Sequence, residues 1–76
     1  MKNKFYLKEL QIYDGEATIT FNIVDINEMK EEILVAISNR GGISLVTYDL
    51  FKDKNGYYFE YGCDYKKINL NDFQEV

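Results

Sequence analysis

A single cysteine, Cys63, stands in this chain, so no internal disulfide can hold it together. A chain of 76 residues buries only roughly 60% of its unfolded surface. Every large apolar side chain therefore counts toward its stability. The composition is suited to this, since 46% hydrophobic and 16% aromatic, with 29% charged, excludes a wholly disordered chain. One domain, residues 1–76, is expected. Small secreted domains are usually disulfide-rich, so the lone cysteine points to a reducing, cytoplasmic setting. The start, MKNKFYLKEL, has lysines with no apolar run behind them and does not read as a signal peptide. The longest apolar run, ILVAI at 33–37, is far too short for a membrane span. A soluble protein with no membrane partner is expected.

The hydrophobic pattern opens with a hairpin over residues 4–24. Ala17, Ile19, Phe21 and Ile23 alternate with polar residues at the period of a half-buried strand. Asp14-Gly15 is the dipeptide of a two-residue turn, which pairs Ile12 with Ala17 and Leu10 with Ile19. Phe5 and Leu7 have the other parity, so an extra residue near Lys8-Glu9, a β-bulge, is predicted.

A helix is predicted next. Asp25 reads as its N-cap, with Glu28 three residues on and Val24 and Met29 placed as a hydrophobic staple. Ile26, Met29, Ile33, Ala36 and Ile37 form one stripe, and Gly41-Gly42 after Asn39-Arg40 stops the element. Two further β-rich runs follow, 43–51 and 57–63, around the turn Asp53-Lys54-Asn55-Gly56. A four-residue loop there pairs Leu50 with Phe59 and Tyr48 with Tyr61; a three-residue loop pairs Phe51 with Phe59. A short strand over 67–70 closes the chain, with 71–76 a terminal turn or frayed. The expected fold is α+β: an antiparallel sheet of four to five strands in the order β-β-α-β-β(-β), with one helix packed on one face.

That architecture leaves the second sheet face open, and NGYYFEYGCDY, residues 55–65, supplies rings that one helix cannot cover. Phe59 and Tyr61 are assigned to the interior. Tyr57, Tyr58 and Tyr65 are the candidate protein-binding residues, because tyrosine suits a surface that is half apolar and half wet. GYYF is similar to the aromatic strand motif of RNA-recognition domains. It departs from that motif at Asn55, where a basic residue belongs, at Tyr58, where a small one does, and at Glu60, where an apolar one does. Thirteen acids against nine bases, a net charge of −4, also disfavour phosphate backbones. Nucleic acid is not an expected partner.

Other motifs resolve to ordinary structure. Asp53, Asn55 and Gly56 resemble part of a calcium loop, but Phe51 and Gly62 occupy two of its ligand positions. Cys63 has no histidine or second cysteine to serve as base or metal co-ligand, and reads as a half-buried strand residue. Neither a phosphate loop nor a dinucleotide fingerprint is present. No catalytic residue, metal site or cofactor is expected. The residue usage, rich in Asn, Ile, Lys and Tyr with Arg40 the sole arginine, follows A/T-rich codons, as in low-GC bacteria, their phages or mobile elements.

The sequence therefore points to a small non-enzymatic module that binds another protein or itself. The alternative is an acidic inhibitor of a nucleic-acid enzyme, of the anti-restriction or anti-CRISPR type. It would use Asp25, Glu28, Glu31 and Glu32 as an acidic patch on the helix.

Overall fold

The structure, a computed structural model, describes residues 8–13 and 15–75. Among the described residues, eight strands form two antiparallel sheets. They are β1 (Lys8–Tyr13), β2 (Thr18–Asn27), β3 (Glu32–Asn39), β4 (Gly42–Asp49), β5 (Phe51–Asp53), β6 (Gly56–Tyr61), β7 (Lys66–Asn69) and β8 (Gln74–Glu75). The large sheet runs β4-β3-β2-β1-β8 and the small one β5-β6-β7. The only helical element among the described residues is a 3-10 turn, Leu70–Asp72.

The α+β expectation is thus overturned: where a helix was predicted, β2, a loop and β3 form a hairpin. The reason lies in the period. Ile33, Val35 and Ile37 are buried while Leu34, Ala36 and Ser38 are not. Three β-branched residues at every second position suit a pleated surface better than a helix. Met29, a member of the predicted stripe, is 97% exposed at the loop tip. Asp25, the predicted N-cap, lies within β2 opposite Leu34, and the loop is held by Asn27 instead, whose Oδ1 accepts the Lys30 N–H at 3.0 Å. Likewise, Asn39-Arg40-Gly41-Gly42 is a hairpin turn, not a helix stop. Its Asn39 Oδ1 accepts the Gly41 N–H at 2.7 Å, just as Asp53 Oδ1 accepts the Asn55 N–H at 2.8 Å in the next hairpin.

The first hairpin is present in a different register. Ile12 pairs with Ile19 and Leu10 with Phe21, and Tyr13–Thr18 closes a longer loop. The two-residue slip preserves which face each side chain takes. Pairing is unbroken through Glu9–Asn22, so Glu9 carries no bulge; Phe5, Leu7 and Asp14 lie outside the described residues. The bulge sits in β2 instead, between Ile23 and Asp25. There it restores the inward face to Ile26, whose parity differs from that of Ile19, Phe21 and Ile23.

In the second hairpin Phe51 pairs with Tyr58 and Lys52 with Tyr57, the register of the four-residue loop. It stops there, because buried Leu50 turns the chain from the large sheet into the small one. The predicted last strand is β7, and the tail returns as β8 to pair with β1.

The small sheet does what the helix was expected to do. Tyr57, Phe59 and Tyr61 of β6 and Ile68 of β7 cover the inward residues of β2 and β3. Phe59 stacks on Tyr48 with centroids 4.9 Å apart and meets Phe21 edge-on at 6.0 Å. Tyr61 meets Phe21 edge-on at 5.0 Å. Among the described residues no polar side chain is buried. Cys63 is exposed in the β6–β7 loop rather than half-buried in a strand.

Candidate protein-interaction surface

β4 reads GISLVTYD and forms one edge of the large sheet. Antiparallel residues alternate between bonding the neighbour and bonding outward. The Leu50 N–H donates to Glu31 O at 2.8 Å, which sets the phase. With Ile33 opposite Tyr48 and Val35 opposite Val46, the residues bonded to β3 are Ser44, Val46 and Tyr48. The N–H and C=O groups of Ile43, Leu45 and Thr47 point away from β3. Among the described residues no backbone hydrogen bond reaches them.

The side chains there are also uncovered. Gly42 to Leu45 are exposed in succession, Ile43 at 74% and Leu45 at 65%. Both stand on the outer face beside Ser38 and Ala36 of β3. Sheet edges normally carry devices against pairing: short length, lysine, proline. Among the described residues, the other three outermost strands have them. β8 is two residues long, β5 has three with Lys52, and β7 has four with Lys66 and Lys67. β4 runs eight residues, and none from Gly42 to Tyr48 is charged.

Sequence reasoning misses Ile43 and Leu45, because 43–51 reads as one arm of a hairpin with 57–63. The signal lies in the uncharged run itself, which ends only at Asp49.

The tyrosines singled out from the sequence do not form one surface. Tyr57 faces the core, half-buried, with Lys52 Nζ 5.2 Å from its ring centre. Tyr58 lies on the opposite face of β6, stacked on Phe51 at 5.4 Å with Lys67 Nζ at 4.3 Å. Tyr65 is 72% exposed in the β6–β7 loop. Its φ of 54° is left-handed, an unfavourable region for an aromatic residue. Tyr65→Asn is therefore expected to raise stability by about 0.5–1 kcal/mol, because asparagine tolerates this conformation. Urea unfolding checks this; a loss of stability would mean that the exposed ring packs more than its solvent contact implies.

The acids Asp25, Glu28, Glu31 and Glu32 are all exposed, on the β2–β3 hairpin rather than on a helix. Glu32 stands directly opposite Asp49 of β4, an unfavourable like-charge pair. Glu28, Glu31 and Asp49 border an open depression of about 520 Å³ with Lys30, Phe51 and Lys52. Asp25 pairs with Leu34 beyond the bulge.

The one ion pair found among the described residues is structural. Lys67 of β7 donates to Asp53 at the β5–β6 turn and, with the Asn55 N–H, holds that carboxyl below the usual carboxylate range. Asp53 holds the Lys67 ammonium above its ordinary value. The sign follows for Asp53: its contribution is present above the unfolded carboxylate pKa and is lost as pH falls through the lower folded value. In an NMR titration the Asp53 carboxyl is expected to protonate below the ordinary aspartate value, and Lys67→Ala to move it back up. An unchanged midpoint in that variant would contradict the pairing. Partial burial, with Tyr61 beside it, pushes the Tyr48 hydroxyl up.

Among the described residues no three histidine, cysteine or acidic side chains come together to hold a metal, and no helix is long and apolar enough to cross a membrane. No protein-family model, curated protein or solved structure matches the chain.

Proposed function

We propose that this chain is a non-enzymatic protein-interaction module that engages its partner by strand addition along β4. The observation that carries the reading is the contrast between the outermost strands: three are short or lysine-bearing, and the fourth is long, uncharged from Gly42 to Tyr48 and carries exposed Ile43 and Leu45. An incoming strand would gain main-chain hydrogen bonds from Ile43, Leu45 and Thr47 and apolar contacts from the outer face. The neighbouring Leu34 and Ala36 extend that face. Tyr65, exposed and strained, is a further candidate contact.

A second reading is an acidic surface for a basic partner, centred on Glu28, Glu31 and Glu32. It is favoured by Glu32 facing Asp49, a repulsion that a cation would relieve. One set of variants separates the two. Under strand addition, Leu45→Lys releases a partner held by the wild-type chain, while the triple variant Glu28→Lys, Glu31→Lys, Glu32→Lys retains it with little dependence on salt. The reverse pattern, with salt weakening the wild-type complex, would establish the acidic reading instead.

A further inference from the structure

Resting on the strand-addition reading, we propose that the occupant of the β4 edge is a second copy of this chain, its β4 antiparallel to the first across a two-fold axis at Ser44. A symmetric contact must be self-complementary, residue i meeting j and j meeting i. β4 satisfies this in backbone, side chain and charge.

The outward-bonding residues are the odd-numbered ones, so only registers that place odd opposite odd satisfy the edge groups. Centring the axis at Ser44 sets Ile43 opposite Leu45 of the second copy, twice. The two most exposed aliphatic side chains of the strand then cover each other. A shift of the axis to Leu45 would set Ile43 against Thr47, and a shift to Ile43 would set Leu45 against Gly41. The Ser44 register also centres the contact on the stretch that is exposed in succession, Gly42 to Leu45. Toward Tyr48, β4 leans on β6 through Phe59, which leaves less room for a strand.

Charge gives the same answer. Arg40 sits in the β3–β4 turn, at one end of β4, and Asp49, opposite Glu32, at the other. Antiparallel pairing carries Arg40 of each copy to the acidic end of its mate, next to Asp49. The sole arginine thus meets the like-charged Glu32–Asp49 pair. The two large sheets join into one continuous sheet, and the outer-face residues Ile43 and Leu45 of both copies form a single apolar strip at its centre.

Sedimentation velocity on four samples tests this. The wild-type chain is expected to form dimers at high concentration. Leu45→Lys and Ile43→Glu, each setting a charge against an aliphatic side chain at both symmetric positions, are each expected to raise the dimer dissociation constant by about 100-fold. Mixed in equal amounts, these two variants are expected to dimerise again, with the introduced lysine facing the introduced glutamate in one pair and the native Ile–Leu contact in the other. Restoration also shows that each variant is folded. A wild-type chain that stays monomeric at every concentration overturns the second copy as occupant and leaves strand addition to another protein standing. Single variants that lose the dimer without rescue in the mixture overturn the Ser44 pairing. A dimer indifferent to both substitutions overturns the pairing and the β4 reading together.

Discussion

Phe59→Ala is expected to remove about 3–5 kcal/mol of folding stability, the usual cost of emptying a buried aromatic site. A domain of this size holds roughly 4–11 kcal/mol in total at the general per-residue average. The substitution therefore takes the chain to the margin of unfolding. Phe59 is completely buried and is the ring through which the sheets meet, stacked on Tyr48 from β4 and edge-on to Phe21 from β2. Phe59→Leu keeps most of the volume and is expected to cost distinctly less. Urea unfolding of both variants measures the difference. A loss below about 1 kcal/mol for alanine, typical of a surface site, would mean that the small sheet does not pack on the large one here.

Ile33→Ala and Met29→Ala are expected to differ sharply, although the sequence places both on one helical stripe. Ile33 is fully buried in β3, and its truncation is expected to cost about 2–5 kcal/mol. Met29 projects from the β2–β3 loop into solvent, and its truncation is expected to change stability by no more than about 0.5 kcal/mol. Comparable losses at both positions, read from the same unfolding curves, would restore the helix.

How the chain encodes its fold is clearest at the places where local signals are ambiguous. Strand alternation at Ile19, Phe21 and Ile23 is legible, and so are the Asp53–Gly56 turn and a final strand near Lys67, because each is set by neighbours in sequence. The helix expected between them is absent. An asparagine or aspartate before a polar turn, and a glycine pair after an apolar run, mark loop ends as readily as helix ends. Ile26, Met29, Ile33 and Ile37 fit a helical spacing, and it is the β2 bulge, which no local signal announces, that lets Ile26 face inward in the sheet instead.

The aromatic cluster is resolved by the same geometry. Tyr57, Phe59 and Tyr61 share a parity and turn inward, Tyr58 and Glu60 turn outward, and the second sheet supplies the cover that a lone helix could not. Of the candidate surface, Tyr65 and the four acids are exposed as an interface would need. The β4 edge is hidden in the sequence because its partner is not its neighbour in the expected hairpin: a strand expected to pair with β6 pairs with β3 and leaves its other side bare.

Residue-resolved amide exchange along β4, in solution dilute enough for single copies to prevail, tests the central claim most directly. Ser44, Val46 and Tyr48, bonded to β3, are expected to exchange slowly, and Ile43, Leu45 and Thr47 rapidly, in strict alternation. Slow exchange at Ile43 and Leu45 in the dilute chain would show that edge to be already covered, and the account of β4 as a docking strand would be wrong.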